Sequence, residues 1–272
     1  MSRDSARVSG LRRKVYGYFK KHGRSLPWRT TSDPYRIIVS EIMLQQTQVA
    51  RVIGKYREFI RRFPDPGSLA SAPLSEVLKL WQGLGYNRRA LLLKKLAETV
   101  AGEYAGKIPS DRRSLRGLPG IGEATSGAIC AFAFNQPELF IETNIRSVFL
   151  HHFFRDKTGV SDRQLMPFVA RAMDTKNPRQ WYSALMDYGV YLKETLPNPS
   201  RQSSHYSRQS RFAGSDRQIR AAIVRLLLKK PLTLTQCKKA LGVDIIRLRR
   251  IASALVKDRL IVRQRTRFAI AE

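Results

Sequence analysis

Apolar residues recur three and four positions apart over most of the chain, while period-two alternation is scarce, so the pattern predicts helices almost throughout. The stretch EIMLQQTQVARVIGKYREFIRRF reads as a helix pair, and LSEVLKLWQGLGYNRRALLLKKLAETVAGEY as two more. Stops are marked by Pro64 and Pro66, by Gly83 and Gly85, and by GKIPSD before Arg112. Around residues 195–215, TLPNPSRQSSHYSRQSRFAGS loses its periodicity and fills with Ser, Arg, Gln and Pro, as a connection between domains would. A linker is set at residues 201–214. After it come three short helices (DRQIRAAIVRLLLKK, TLTQCKKALG, DIIRLRRIASALVKD) and a small strand pair in RLIVRQRTRFAIAE. That order predicts a winged helix-turn-helix over 215–272, with Gly242 at the turn and Ile245 to Lys257 as the recognition-type helix. A small packing or dimerisation domain shares the pattern.

Composition adds a partner class. Against 21 Asp+Glu the 272 residues carry 50 Lys+Arg, a formal charge of +29, which self-repels unless a polyanion sits nearby. Nucleic acid is the first candidate partner, with a ribosomal or generic RNA-binding protein or a membrane-surface protein as the plainer alternatives. Only Cys130 and Cys237 are present, so neither a disulfide framework nor a cysteine-only metal site can be built. The N-terminal stretch has no apolar run of signal-peptide length and nothing later approaches a membrane span. The expectation is a soluble, cytoplasmic, nucleoid-associated monomer.

In LPGIGEAT two glycines flank one apolar residue between helical segments, so backbone amides at a helix N-terminus can face a phosphate without reading a base. An ordinary helix joint is the alternative for an isolated glycine pair. The pair has company: LPWR, SEIMLQQTQV, WQGLGYNRRA, LPGIGEATSGAI and MDYG follow in order, and together they resemble the helix–hairpin–helix DNA glycosylases, in particular MutY-type adenine glycosylases. The likeness covers roughly residues 11–192. It implies an all-α, two-lobed core with its active site in a cleft: a six-helix domain over 29–140, and a second lobe combining 1–28 with 141–200.

Breaking a C1′–N bond through an oxocarbenium-like transition state calls for an acid at the leaving base, a negative charge near the sugar, and wedges that fill the gap in the duplex. Glu41, on an apolar and amide-rich helix, suits the acid; a carboxylate held at a helix N-terminus is the plainer reading. The resemblance assigns Gln46 and Tyr86 to the duplex wedge, joined by Gln45 and by Trp28 at the base pocket, against surface amides and core packing as alternatives. It also places IETNIR where the family has its catalytic aspartate, so Glu142 takes the aspartate's position and Asn144 the asparagine's, capping or orienting it. The extra methylene matters, because a positional error near 1 Å costs about a hundredfold in rate.

Two further departures carry expectations. Ala124 stands where the strand-cutting relatives have a Schiff-base lysine, which implies a monofunctional enzyme without AP-lyase activity. The four cysteines that normally ligate a (4Fe–4S) cluster after MDxG are missing, with Lys193 near the first ligand's place, so no cluster is expected. Phosphate contacts then fall to Gly120, Gly122, Lys193, Arg201, Arg208 and Arg211, with a monovalent cation at the hairpin compatible with the motif. His151 and His152 lack a second ligand pair. The expected partner is double-stranded DNA with a mismatched or damaged base, and the expected substrate an adenine opposite G or 8-oxoguanine. The alternatives are another base (uracil, thymine opposite guanine, a damaged purine) and a non-catalytic winged-helix protein with a retired core.

Overall fold

A computed structural model describes residues 3–209 and 211–272. Among them helices dominate, as expected, and the only sheet is small and C-terminal. The chain divides into two compact units, one of residues 1–37, 110–116 and 121–208, the other of 38–109, 117–120 and 209–272.

The first unit is built from α1 (Arg3–His22), α7 (Arg112–Gly117) up to Arg116, α8 (Glu123–Phe134), α9 (Thr143–Phe153), α10 (Asp162–Ala172) and α11 (Pro178–Thr195). Helix α11 is its centre and packs on α1, α8 and α9. It buries Trp181, Tyr182, Ala184, Leu185 and Leu192 on several sides, as a helix enclosed by others must. Val15 of α1 and Ile145, Val148 and Phe149 of α9 complete that core. Ser161 and Gln164 form a capping box that starts α10.

The second unit contains α2 (Pro34–Leu44) beyond Ile37, α3 (Val49–Arg62), α4 (Pro66–Ser71), α5 (Leu74–Leu80) and α6 (Arg88–Glu103). Val52, Tyr56 and Phe59 recur on one face of α3 and are buried, while its arginines line the rest. Pro64 cannot continue the helix, and Asp65 caps the next through a capping box with Ser68. Phe59 meets Trp81 edge-on at 5.9 Å between ring centres, both fully buried.

Its C-terminal part holds α12 (Asp216–Leu227), α13 (Leu234–Leu241) and α14 (Ile245–Lys257) with strands β1 (Leu232–Thr233), β2 (Ile261–Gln264) and β3 (Arg267–Ile270). The sheet order is β1-β3-β2, all antiparallel, so the expected strand pair gains a two-residue third strand. Thr233 caps α13, and Gly242 ends it in the left-handed region at φ 63°, where glycine carries no Cβ penalty. This is the winged-helix arrangement the pattern predicts.

Candidate active site

Glu142 is the N-cap residue of α9. The backbone N–H groups of Asn144 and Ile145 donate to its Oε1 at 2.7 and 2.9 Å, and the Asn144 side-chain amide donates to Oε2 at 3.1 Å. Those donors and the helix dipole favour the carboxylate. Burial pushes the other way and prevails, holding the Glu142 carboxyl above the usual range despite the amides and the Lys193 ammonium. Asn144 Oδ1 is buried without a hydrogen-bond partner. At Gly189 of α11 a Cβ would lie 2.4 Å from the Asn144 carbonyl oxygen, so only glycine lets α11 approach the first turn of α9 this closely.

Two residues before that glycine, Asp187 is buried and gathers the N-terminal segment of the same unit. Arg29 donates from Nη1 and Nη2 to its two oxygens, each at 2.8 Å, and Arg24 adds its backbone N–H at 2.9 Å and Nε at 2.7 Å. Burial alone would raise the Asp187 carboxyl; the guanidinium of Arg29 and the bonds from Arg24 overcome it and hold the group below its ordinary value. Sequence reasoning quoted LPWR and MDYG as separate motifs and missed that Arg29 and Asp187 are one ion pair. Trp28, next to Arg29 in the turn Pro27–Arg29, is buried.

In the second unit Glu41 lies in the last turn of α2, partly exposed between buried Ser40 and Ile42. The N-terminal-dipole reading does not apply at that end of a helix. Beyond α2, Gln46 and Tyr86 sit at the tips of two turns with φ of 54° and 49°, a region costly for residues with a Cβ. Arg89, which sequence reasoning did not single out, holds both turns. Its Nη1 donates to the carbonyls of Ile42, Met43 and Gln45 at 2.7, 2.9 and 2.7 Å. Its Nη2 donates to Thr47 Oγ1 at 3.0 Å and to the carbonyls of Leu84 and Gly85 at 3.1 Å each. Burial pushes this guanidinium down to about 10, so it stays charged at neutral pH. The Tyr86 ring is 39% exposed and its hydroxyl accepts from Arg217 Nη1 at 2.9 Å and from Gln209. Around it opens a cavity of about 380 Å³ lined by Gln45, Gln46, Tyr86, Arg88, Arg217 and Asp258 among others.

The hairpin glycines differ in task. Gly120 has φ 84°, and a Cβ there would lie 3.1 Å from Leu92 Cβ. Gly122 is the N-cap of α8, which has no side-chain cap bond, and Ala124 follows in its first turn.

A family model described as "HhH-GPD superfamily base excision DNA repair protein" matches residues 39–231. The chain belongs to this superfamily. An adenine DNA glycosylase of Buchnera aphidicola is 33% identical over 65% of the chain and 51% of the relative, so the match spans about half of that protein. A thymine/uracil-DNA glycosylase of Pyrobaculum aerophilum is 34% identical over 62% of the chain and 75% of its own length. The solved structure of a thermostable thymine-DNA glycosylase superposes with a TM-score of 0.61 at 25% identity, covering 68% of the chain and 87% of that structure.

Among the described residues this HhH-GPD protein has no group of three or more His, Cys, Asp or Glu side chains arranged for a metal ion, and its two cysteines cannot ligate a (4Fe–4S) cluster. His152 Nε2 lies 3.1 Å from the Tyr188 hydroxyl, and burial with its cationic neighbours pushes it down to about 4, so it is neutral at physiological pH. Arg201, Arg208 and Arg211 are exposed, whereas Lys193 is half-buried in the last turn of α11. No helix is long and apolar enough to cross a membrane among the described residues.

Proposed function

We propose that this HhH-GPD protein is a monofunctional DNA glycosylase of base excision repair that hydrolyses the N-glycosidic bond of an adenine mispaired with guanine or 8-oxoguanine. The observation that carries the reading is Glu142: a carboxylate fixed by three N–H donors at a helix N-terminus, yet buried enough to be held above its usual range. A partly buried acid immobilised in this way is suited to face a developing sugar cation, because it needs no reorganisation as charge appears. In this mechanism the C1′–N bond breaks as Glu41 gives its proton to the departing purine. Glu142 stabilises the cation at C1′, and water completes the hydrolysis, returning a proton to Glu41. Gln46 and Tyr86, raised on strained turns by Arg89, fill the space the everted base leaves. Ala124 offers no amine for a Schiff base, so the product is an intact abasic site.

The longer acid is accommodated at the N-cap, where Glu142 Oε1 accepts both first-turn amides. A second reading keeps the chemistry and changes the base to thymine or uracil opposite guanine; the Pyrobaculum relative and the thermostable thymine glycosylase favour it. In either case the partner is double-stranded DNA, consistent with the formal charge of +29. The test incubates the protein with duplexes carrying A opposite G, A opposite 8-oxoguanine, U opposite G and T opposite G, followed by heating in alkali. Strand scission after alkali at adenine, lost in E41Q and E142Q, is expected; scission at U or T alone selects the second reading, and none in any duplex rejects both. Efficient borohydride trapping on DNA would reject the monofunctional assignment.

A further inference from the structure

Lys193 has no place in the mechanism above, yet its position is specific. Gly189 marks where α11 touches the first turn of α9, with a Cβ there only 2.4 Å from the Asn144 carbonyl oxygen. Lys193 is four residues further along α11, and side chains spaced i, i+4 are neighbours on one helix face. It therefore lies one turn beyond the contact, on the face of α11 that meets α9, whose N-cap is Glu142. The ammonium is half-buried and makes no hydrogen bond or ion pair within 4 Å among the described residues. The two charges nevertheless interact, each favouring the ionised form of the other, while burial opposes both. Each also stands at the helix end whose dipole suits it: the acid at the N-terminus of α9, the base in the last turn of α11.

The other charges nearby are committed elsewhere or face solvent. Arg146 of α9 is bidentate to Asp162 of α10, at 2.7 Å for each contact. Arg24 is bound to Asp187. Glu194 on α11 and Arg201 in the turn Pro199–Gln202 are exposed. Lys193 is thus the cation left to answer Glu142. The cluster still has an open polar end, because Asn144 Oδ1 is buried without a partner.

We infer that Lys193 is a positioning residue for the reaction: from α11 its ammonium holds the Glu142 carboxylate in place at the N-cap of α9 and favours its charge. This rests on the role proposed for Glu142 and adds to it a second residue, at the place near which the cluster-bearing relatives have a cysteine ligand. The arrangement answers a physical problem that the longer acid creates. A carboxylate drawn partly out of water at an N-cap gains orientation while its charged form is disfavoured, and a carboxylate that gives up its charge stabilises an oxocarbenium ion less.

The test has two readouts. Single-turnover excision is measured against pH for the wild type, K193M, K193Q and K193R, on whichever duplex the wild type cleaves. In parallel, carbon-13 NMR of protein labelled at the glutamate carboxyl follows the titration of Glu142, assigned by the signal missing in E142Q. In K193M and K193Q both the acid limb of the rate profile and the Glu142 midpoint should move up by about one pH unit, equivalent to roughly tenfold in rate on that limb, and K193R should restore them. A limb and midpoint unmoved in both charge-removing variants, or K193R behaving as K193M does, overturns the proposal. If no duplex is cleaved, the glycosylase reading fails while the NMR midpoints still decide whether Lys193 controls the charge of Glu142. The paired charge-removing variants and the charge-keeping arginine separate lost charge from lost packing.

Discussion

Replacing Arg89 with lysine should damage both stability and DNA engagement. The guanidinium makes six hydrogen bonds, three from each terminal nitrogen, to five carbonyls and one hydroxyl of the turns that carry Gln46 and Tyr86. The two terminal nitrogens share four N–H groups among these acceptors; an ammonium is a single nitrogen that can stand in for only one of them, so three of the six acceptors lose their partner. At about 1 kcal/mol net for each lost bond the cost is ~3 kcal/mol, within the range of about 3–5 kcal/mol for disrupting a buried charged group. For a protein of this size that corresponds to a fall in melting temperature of roughly 6–12 °C, measured by circular dichroism at pH 7.5. The local effect should exceed the global one. Gln46 and Tyr86 hold positive φ values only because their surroundings impose them, and removing the clamp lets the turns relax. Duplex affinity, measured by fluorescence anisotropy, should fall in R89K at a temperature where the protein remains folded. A variant melting within about 2 °C of wild type and binding DNA normally would refute the clamp.

E142Q should abolish excision and, at pH 7.5, melt above the wild type. A carboxyl held above its ordinary value in the fold contributes stability at low pH that is lost as pH rises through the folded value, so the advantage of glutamine should shrink toward pH 4. Melts at both pH values decide the matter, and a wild type more stable at pH 7.5 contradicts it. D187N has the opposite sign. Asp187 is held below its usual range, so its contribution is full at neutral pH and disappears as pH falls through the folded value. Urea titration should show a loss of about 3–5 kcal/mol at pH 7 that narrows below pH 4; equal differences at both would count against the ion-pair account. Y86A removes a ring that is 39% exposed and outside the apolar core, so melting should change little while duplex affinity drops about tenfold, consistent with ~1–3 kcal/mol of stacking; unchanged affinity would remove Tyr86 from the wedge.

The helices were legible because their burial follows the residue period. α14 occupies the predicted residues Ile245–Lys257, and Leu248, Ile251, Ala252 and Leu255 form its buried stripe. β1 escaped because two residues carry no usable alternation. Within the site, motif order pointed to Glu142 and Asn144, but the pattern could not say that Asn144 Nδ2 donates to the carboxylate while its Oδ1 stays unpaired. Arg89 left a trace that could have been used. It lies at helical spacing with Leu93, Leu96, Ala97 and Val100, all buried, so an arginine stood on the apolar stripe of α6. A cation there must find acceptors within the fold, which is a stronger statement than the local run Arg88–Arg89 suggests. Lys193 left no such trace, since its significance depends on α9 lying against Gly189, a tertiary contact.

The segment after α11 makes a related point about what replaces a metal. Chain that follows MDYG must be held near α9 and α10 if the N-cap of α9 is to stay fixed, and ligation by cysteines is one way to do so. Here ordinary hydrogen bonds converge on the same helices. Asn198 caps the turn Pro199–Gln202 through the Ser200 N–H at 3.0 Å, and the hydroxyls of Ser200 and Ser147 of α9 are 2.7 Å apart. Val160, which precedes α10, donates its N–H to the Gln202 carbonyl at 2.9 Å and accepts from the Ser204 N–H at 3.0 Å. Gln202 adds side-chain bonds to the carbonyls of Phe154 and Arg155 at the end of α9. These bonds pair backbone groups that would otherwise lie unsatisfied on leaving water, so the segment needs no metal to close it. The same helix, α9, is thus secured at Ser147 by the returning chain and carries at its start the acid that Lys193 faces from α11. Backbone and side-chain hydrogen bonds together fix this lobe around α9, so position 193 is left open to a lysine.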